Sequence, residues 1–416
     1  MLIYKYIDAF VAWGRIQHRL GWRNLPKRIT LGVIVLLAIA GFWRAWGSVN
    51  VQIESSAVIR VPQDYLTIQE AVNAANPGDT ILVASGTYYE CVEINKSLTL
   101  IGENSNTTII DGTIAPDVHG HIFLIQNTSS VTISNFFLRN GGWGVSLNRS
   151  RNCVISDNIM LSNWTPVKLA YSERNVIQCN IIKTILYGVV LEDSRENIIS
   201  DNVISSVQLY GVGLWVSSDN VISDNEISGC QVGIYFTLDC SNNTIRGNMV
   251  SRNEVSGIHL LGVANNLIIA NAIVNNYLGM YLAGNDNRIY HNNFINNTHQ
   301  WEGIKANFWD NGKGVGNYWS NYNGEDLNGD RVGDTLLPHL EADYYPLVSL
   351  WKPLQGDVDG NGLVSMQDAS WIAAVFGSQQ GTLDWDPDAD LNNDRLLDIF
   401  DVVIVGVNFG KTIQDS

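Results

Sequence analysis

Cysteine, proline and positive charge are all scarce in this sequence of 416 residues. The five cysteines follow no spacing typical of metal ligands, and their odd number favours buried thiols with at most one chance disulfide. Lysine and arginine number 25 against 41 acidic residues, a net charge of −16 that argues against binding nucleic acid through a basic groove. Nine prolines and 37 glycines suit a chain with many tight turns.

Long apolar runs are also rare, and the one at residues 29–43 predicts a membrane segment. Basic residues precede it, among them Arg23, Lys27 and Arg28, and few follow, which places the amino terminus inside the cell. We predict a basic cytoplasmic segment at residues 1–28 and a transmembrane signal anchor, or a cleaved signal peptide, at residues 29–49. The remainder is then extracellular and membrane-anchored, or secreted if the segment is cleaved.

The middle of the chain repeats one short pattern. An isoleucine recurs every 21 to 23 residues, an asparagine follows most of them by three positions, and a glycine then opens an alternating apolar segment. Units this short with period-two alternation predict coils of β-strands and tight turns, stacked as a solenoid. We expect the isoleucines to stack inward and the asparagines to adopt left-handed turn conformations, with their amides bonded along the stack. The isoleucines are Ile133, Ile155, Ile177, Ile199, Ile222, Ile245, Ile268 and Ile289.

A different pattern precedes the repeats, where Thr67-Ile-Gln-Glu70 is a capping box that predicts a short amphipathic helix closing the first coil. Together these features resemble the right-handed parallel β-helix of the pectin-lyase-like superfamily, and more closely its NosD-type branch. The resemblance implies an all-β fold, a right-handed parallel β-helix solenoid. Its parts would be an N-terminal cap and first coils at residues 55–130, repeats at 131–300, and a C-terminal cap with an Asp-rich loop at 301–350.

The resemblance also implies carbohydrate chemistry, and one row of side chains suits it. The middle residue of each apolar segment should point outward, which places Tyr235, His259 and Tyr281 on consecutive coils with Trp215 beside them. These four residues are candidates for stacking on the sugar rings of a polysaccharide or other glycan. The alternative is an ordinary ladder of strand-favouring residues.

Acidic residues that could act on a glycan are less distinctive. Asp201 and Asp224 should lie one coil apart, near the spacing of about 5 to 5.5 Å between the carboxylates of retaining glycosidases. The same position is a turn in which aspartate is common, and Glu192, on an outward strand position, is a second candidate. If the protein is an enzyme, we expect a glycoside hydrolase or a polysaccharide lyase.

Copper handling, which the NosD resemblance also implies, has little support in the residues. Histidines are scattered, and only five methionines are present. His119 and His121 beside Asp117 form the single group of possible ligands.

Acidic loops mark the end of the chain. One loop in the predicted C-terminal cap has oxygen ligands at positions 1, 3, 5 and 9 of a calcium loop but Leu337 at position 12; these possible ligands are Asp326, Asn328, Asp330 and Asp334. Residues 354–412 contain two further loops offset by 33 residues, each leading into an apolar helix, predicted at residues 369–376 and 402–409. The predicted Ca²⁺ ligands are Asp357, Asp359, Asn361, Leu363, Ser365 and Asp368 in the first loop and Asp390, Asn392, Asp394, Leu396, Asp398 and Asp401 in the second.

The duplicated loops and helices resemble a type I dockerin, which implies a Ca²⁺-dependent module that binds a cohesin-like protein. Two features depart from that pattern: Arg395 stands where the first loop has Gly362, and apolar residues replace the small hydroxyl residues before position 12. The first departure implies a lower Ca²⁺ affinity for the second loop. The second implies an apolar recognition surface for an unusual cohesin or for an intramolecular partner.

As a whole, the sequence predicts a cell-surface β-helix protein that binds or processes polysaccharide and joins a surface assembly through the dockerin-like module. The alternatives are a non-catalytic structural or adhesive surface protein and, with less support, NosD-like metal handling.

Overall fold

The computed structural model describes residues 56–114, 120–352, 354–360, 362–379, 385–386, 388–392 and 394–412. The predicted membrane segment and the basic segment before it lie outside this range, as do Asp117, His119 and Asn361. Within it there are three α-helices, α1 (Ile68–Ala74), α2 (Met366–Ala374) and α3 (Ile399–Asn408), and one 3-10 turn (Gly112–Ile114). None of the described helices is long and apolar enough to cross a membrane.

The strands form three parallel sheets, which successive segments of the chain visit in turn. Sheet A consists of β1 (Val58–Val61), β2 (Thr80–Val83), β5 (Thr99–Gly102), β8 (Thr132–Ser134), β11 (Val154–Ser156), β14 (Val176–Gln178), β17 (Ile198–Ser200), β20 (Val221–Ser223), β23 (Thr244–Arg246), β26 (Leu267–Ile269) and β29 (Arg288–Tyr290). Sheet B consists of β3 (Gly86–Tyr88), β6 (Thr108–Asp111), β9 (Phe137–Arg139), β12 (Ile159–Leu161), β15 (Ile181–Lys183), β18 (Val203–Ser205), β21 (Glu226–Ser228), β24 (Met249–Ser251), β27 (Ala272–Val274), β30 (Asn293–Ile295) and β32 (Tyr318–Trp319). Sheet C consists of β4 (Val92–Ile94), β7 (His121–Gln126), β10 (Trp143–Asn148), β13 (Thr165–Ala170), β16 (Tyr187–Glu192), β19 (Tyr210–Trp215), β22 (Val232–Thr237), β25 (Ser256–Ala264), β28 (Leu278–Asn285) and β31 (His299–Gly303). The architecture is a parallel β-helix, as predicted.

The repeated isoleucines build the core of this cylinder. In sheet A, Ile199 pairs in register with Ile177 on one side and Ile222 on the other, and the ladder continues through every repeat. All eight predicted isoleucines are fully buried, which confirms their inward direction. Each such burial contributes about 1.5 to 3 kcal/mol, and no single coil could bury its apolar face alone.

Buried asparagines fill the turn between sheets A and B and bond along the axis. The Asn225 side-chain oxygen accepts hydrogen bonds from the Asn202 backbone N–H and side-chain amide, both at 3.0 Å. Its own amide donates to the oxygen of Asn248 and to the carbonyl of Ile199. The predicted amide ladder is therefore confirmed, and it satisfies polar groups that no water reaches.

The prediction that these asparagines adopt the left-handed conformation is wrong, because the residue before each of them adopts it instead. Positive φ angles fall on the residue before each one, for example 56° at Asp201 and 57° at Asp224. Because the left-handed residue points its side chain outward, the asparagine that follows is free to turn its amide into the ladder. Aspartate tolerates this conformation well, which explains its recurrence here.

The glycine that opens each sheet C strand is required by a close approach between coils. A Cβ atom on Gly188 or Gly211 would lie 2.3 or 2.7 Å from the carbonyl oxygen of the equivalent glycine in the next coil. No larger residue fits without moving the backbone.

The two ends of the cylinder are closed differently. At the N-terminal end, Thr67 and Glu70 form the predicted capping box of α1, which buries Ile68, Ala71 and Val72 against the first coils. At the other end, Asn317 terminates the asparagine ladder and donates its backbone N–H to the buried carboxylate of Asp343 at 2.9 Å.

The Asp343 carboxylate is the polar centre of the C-terminal cap. It is fully buried and also accepts hydrogen bonds from the Trp319 indole N–H at 2.8 Å and the Tyr345 backbone N–H at 2.9 Å. Burial raises the pKa of Asp343 to about 6, against these hydrogen bonds, which lower it.

The C-terminal module, residues 354–412, packs α2 and α3 around a small core that includes Val358, Ile372, Leu397 and Val405. Both helices begin three residues earlier than predicted. Ser365 caps α2 and Asp398 caps α3, each in a capping box with the acidic residue three positions later. The prediction missed these starts because the loop ligand at position 9 also serves as the N-cap.

The module lies against the last coils of the β-helix. The Lys313 ammonium contacts the Asp386 carboxylate at 3.0 Å and the Val358 carbonyl at 3.4 Å, and it lies 4.6 Å from the centre of the Trp371 ring. Trp351, on the connection between the two parts, stacks on the buried His291 ring with centroids 3.6 Å apart. These contacts join the module to the end of the β-helix.

Replacing Asn225 with alanine should destabilise the protein by at least about 3 kcal/mol, because it leaves the Asn202 amide groups and the Ile199 carbonyl buried without a partner. Denaturant unfolding followed by circular dichroism measures the change. The exposed Asn95 is a matched control, and Asn95→Ala should alter stability by less than about 0.5 kcal/mol. Equal effects of the two substitutions would rule out a structural amide ladder.

The stability of the C-terminal cap should depend on pH through Asp343. Its pKa in the folded protein lies above the ordinary value of 3.8, so its contribution is fully present below about pH 4 and is lost as pH rises through about 6. Between pH 4 and pH 8, wild type should lose about 3 kcal/mol more than the Asp343→Asn variant, in which this group does not titrate. Unfolding curves across this range test the difference, and parallel curves for both proteins would contradict it.

Candidate functional site

Aromatic side chains form a continuous row along the outer face of sheet C. Tyr235, His259 and Tyr281 occupy paired positions on consecutive strands, with ring centroids 5.4 Å apart for Tyr235 and His259 and 4.5 Å apart for His259 and Tyr281. The four residues Trp215, Tyr235, His259 and Tyr281 therefore lie together as the sequence predicted. One ring of the row recurs in each coil, because parallel pairing in register places equivalent residues one above another.

Two tyrosines that the sequence analysis missed extend this row. Tyr210 stacks on Tyr235 with centroids 4.2 Å apart and an interplanar angle of 13°, and Tyr187 lies 5.6 Å from Tyr210. Both precede the glycine that opens their strand and stand three positions before its middle residue, where strict alternation would point a side chain inward. The recurrence of a tyrosine at this place in two successive repeats is the signal that could have found them. We call the six residues the aromatic strip: Tyr187, Tyr210, Trp215, Tyr235, His259 and Tyr281.

Trp215 occupies space that a glycine leaves open. A Cβ atom on Gly213 would lie 2.6 Å from the distal edge of the Trp215 indole, so the ring folds back over Gly213. There its ring centroid lies 6.0 to 6.2 Å from the ring centroids of Tyr187, Tyr210 and Tyr235. Gly213, which stands in the outward row, thus allows the indole to lie at the centre of the aromatic strip.

His259 is partly buried within the strip. Its Nδ1 atom lies 3.3 Å from the Ser256 hydroxyl, and burial lowers its pKa. The ring is therefore neutral at pH 7, and it offers an apolar face with one polar edge.

A charged pair borders the strip at one end. Lys168 contacts Glu192 at 3.0 Å, and the Lys168 ammonium lies 4.9 Å from the centre of the Trp143 ring. Glu192 pairs in register with Trp215, so this candidate lies beside the aromatic row. Its carboxylate is already neutralised by lysine.

Glu302 borders the opposite end, in register with Tyr281. Five strand steps of about 4.8 Å separate the strands of Glu192 and Glu302, a distance of about 24 Å. The two catalytic carboxylates of a glycosidase lie about 5 to 9.5 Å from each other. Within the strands of sheet C, the two glutamates that border the strip are therefore too far apart to act as a catalytic pair.

Asp201 and Asp224 occupy a different corner of the cylinder. Both follow sheet A strands and precede sheet B strands, at the exposed left-handed position of that turn. The aromatic strip lies on sheet C, so the structure does not bring these carboxylates to it.

The first loop of the C-terminal module brings three carboxylates together. Ligand oxygens of Asp357, Asp359 and Asp368 lie within 4.8 Å of one another, and one oxygen of the mostly buried Asp357 has no hydrogen-bond partner. Burial raises the pKa of Asp357, and the charges of Asp368 and Asp359 raise it further. An oxygen cluster of this kind fits a hard divalent cation.

The second loop repeats the hydrogen bonds of the first at the offset of 33 residues. Asp368 accepts from the Val358 N–H at 2.7 Å, and Asp401 accepts from the Leu391 N–H at 2.8 Å. The position-1 carboxylates match too, because Asp357 accepts from Gly362 at 2.8 Å and Asp390 from Arg395 at 3.0 Å. The two loops, which are duplicated in the sequence, therefore also share these backbone hydrogen bonds. Arg395 reaches its turn conformation with a φ of 72°.

The Asp-rich loop of the C-terminal cap is closed by its own backbone. Both carboxylate oxygens of Asp326 accept backbone N–H groups, from Gly329 at 2.7 Å and from Arg331 at 2.8 Å. Asp334 accepts from Leu327 at 2.7 Å. In the described residues, Asp326, Asp330 and Asp334 do not form a three-carboxylate cluster like that of the first loop.

Copper ligands are not assembled in the part of the chain that the structure describes. The one group of three histidine, cysteine or acidic residues found there consists of carboxylates, whereas copper favours imidazole and sulfur. His121 lies instead against Trp143, with ring centroids 4.6 Å apart. All five cysteines are free thiols, three of them buried, and they do not form a metal site.

Two solved structures are similar to this chain. DFA-IIIase from Arthrobacter chlorophenolicus A6, a mutant crystallised in complex with DFA-III, aligns with a TM-score of 0.51 at 13% identity over 58% of this chain and 76% of its own. Alginate lyase from Paenibacillus sp. str. FPU-7 aligns with a TM-score of 0.41 at 12% identity over 61% of this chain and 99% of its own. The likeness to DFA-IIIase, at 13% identity, carries information about architecture alone.

Sequence comparison gives the family. No curated protein sequence matches the chain significantly. The family described as "Periplasmic copper-binding protein (NosD)" matches residues 72–255 and 236–324, which together make up more than half of the sequence, and the chain therefore belongs to the NosD family.

Proposed function

We propose that this protein lies outside the cytoplasm and binds polysaccharide along the aromatic strip. The observation that carries the proposal is the continuous contact of six aromatic rings on one face of sheet C. Tyrosine, tryptophan and neutral histidine combine an apolar ring with a polar edge, and a sugar presents the same combination of C–H and hydroxyl groups. The family description is in keeping with a location outside the cytoplasm.

We propose binding without cleavage. Glu192 is paired with Lys168, Glu302 is about 24 Å away, and Asp201 and Asp224 belong to another corner of the cylinder. This arrangement favours the adhesive alternative over a glycoside hydrolase, because hydrolysis of a glycosidic bond needs two carboxylates at that bond.

We also propose that the two C-terminal loops bind Ca²⁺. The carboxylates of the first loop repel one another in the absence of a cation, and the partnerless oxygen of Asp357 is a ready ligand. Backbone carbonyls of Leu363 and Leu396 would complete the two sites at position 7. The loop containing Asp326 and Asp334 would bind Ca²⁺ more weakly, since Leu337 supplies no carboxylate at position 12.

The module's exposed apolar residues support attachment to a protein partner. Met366, Ile399 and Phe400, just before position 12 in the two loops, are 67, 56 and 62% exposed. A dockerin-like module with this surface would recognise a cohesin-like domain through apolar contacts rather than hydroxyl hydrogen bonds. Anchoring in a membrane remains a prediction for residues 29–49.

Replacing Trp215 with alanine should weaken binding of a recognised glycan about tenfold, because it removes the ring at the centre of the strip. A panel of soluble polysaccharides, assayed by calorimetry, identifies the ligand first. Trp164, a partly exposed tryptophan outside the strip, provides the matched control, and Trp164→Ala should bind as wild type does.

Cleavage is tested on the same panel. We expect no release of reducing sugar or of unsaturated product from any glycan that binds. Turnover that disappears in Glu192→Gln would establish an enzyme and overturn the proposal of binding alone.

Calorimetry of the full chain with Ca²⁺ should detect two sites, of which the second loop, with Arg395 in place of glycine, is the weaker. Asp357→Asn and Asp390→Asn should each abolish one of them, because position 1 supplies a charged ligand to each loop. Chelation should lower the thermal stability of the module, since bound Ca²⁺ stabilises only its folded form.

The exposed turn residue Asp239 is the control, and Asp239→Asn should leave both sites intact. Identical titrations of wild type and the double variant Asp357→Asn/Asp390→Asn would exclude calcium from the loops.

A further inference from the structure

A second surface feature lies on a different corner of the cylinder, where the chain turns from sheet C to sheet A in the first coils. A depression of about 440 Å³ is formed there by equivalent turns of three successive coils. Polar and charged side chains line it almost throughout: Asn127, Thr128, Ser129, Arg149, Ser150, Arg151, Tyr171 and Glu173. None of these residues belongs to the aromatic strip.

Positive charge dominates the depression although the whole protein is acidic. Arg149 and Arg151 are exposed, and neither guanidinium forms an ion pair in the described structure. The one lining carboxylate, Glu173, is held by Arg195 of the next coil at 2.8 Å. The hydrogen bond from Arg195 and the neighbouring arginine charges, Arg151 included, lower the pKa of Glu173.

Tyr171 gives the depression an aromatic wall. The Arg149 guanidinium lies 5.1 Å from the centre of its ring, and the tyrosine remains 57% exposed. One side of the ring contacts arginine, and the exposed side is available to a ligand. The hydroxyl and amide groups of Asn127, Thr128 and Ser129 stand on the opposite side of the depression.

Charge beyond the depression limits where an anion can lie. Arg149 and Tyr171 occupy equivalent turn positions on successive coils, and Asp193 occupies this position on the next coil. Its backbone N–H donates to the Trp215 carbonyl of the coil that follows. Its carboxylate repels an anion from that side. The favourable region is therefore confined to the three coils that form the depression, a length suited to a few sugar units and too short for a long polyanion on a protein of charge −16.

We infer that this depression binds an acidic saccharide. Arg149 and Arg151 take the carboxylate of a uronic acid residue, since a guanidinium donates two parallel hydrogen bonds to a carboxylate. Tyr171 packs on the sugar ring, and the row from Asn127 to Ser129 bonds its hydroxyl groups. The site is separate from the aromatic strip and does not depend on it.

Titration of the full chain with trigalacturonic acid, compared with the neutral galactotriose, tests this site. The acidic trisaccharide should bind, and the neutral one should bind at least about tenfold more weakly. Binding of the acidic sugar should weaken as salt rises to about 0.5 M, because exposed charges are screened.

Arg149→Gln and Arg151→Gln should each weaken trigalacturonate binding about fivefold. Arg174→Gln is the matched control, because Arg174 shares the left-handed turn conformation of Arg149 but pairs with Glu196 outside the depression. Thermal unfolding confirms that each variant is folded, as expected for exposed residues.

Trp215→Ala distinguishes this site from the aromatic strip, because it should leave trigalacturonate binding unchanged while it weakens binding of a glycan that the strip recognises. Equal affinity for the acidic and neutral sugars, undiminished binding in the Arg149→Gln/Arg151→Gln double variant, or no measurable binding of trigalacturonate would each overturn the inference.

Discussion

Each buried asparagine amide in the turn between sheets A and B is bonded to the coil before it and to the coil after it. The strands obey the same constraint, because every backbone hydrogen bond in the three sheets joins one coil to its neighbour. A coil therefore has no stability of its own. The cylinder forms only when successive coils agree in register, and that agreement also fixes where the outward side chains lie.

This constraint explains which parts of the structure were predictable. An inward isoleucine and a ladder asparagine must recur at the period of the coil, so the sequence displays the core directly. The outward direction of Tyr235 and His259 followed from alternation within a strand. The amide ladder was anticipated, but its conformation was misplaced by one residue, since sequence spacing cannot distinguish the left-handed residue from the asparagine beside it.

Contacts between distant segments left no periodic signal and were missed. Lys313 reaches the C-terminal module from a segment where the repeats have already ended. The indole of Trp215 covers Gly213 only because a glycine happens to occupy that outward position. Tyr187 and Tyr210 were missed for a different reason, since they stand three positions before the middle residue of their strands, where strict alternation would point a side chain inward.

The surface of the cylinder differs in chemistry from face to face while its interior is uniform. Outward residues of sheet C meet only solvent and each other, so they can change from coil to coil without disturbing the isoleucine ladder. One face thus carries neutral aromatic rings, whereas the turn beyond it carries arginines on a protein of strongly negative charge. The fold and the chemistry of the surface are set by different residues of the same repeat.

The closed ends of the cylinder have a consequence for solubility. Parallel sheets that stop abruptly leave a row of unpaired backbone groups, which a second molecule can extend. Here α1 seals one end, and the buried Asp343 with its tryptophan and asparagine partners seals the other. Without these two caps, the backbone groups that pair one coil with the next would be free to pair one molecule with another. The caps therefore prevent the β-helix from extending end to end into a filament.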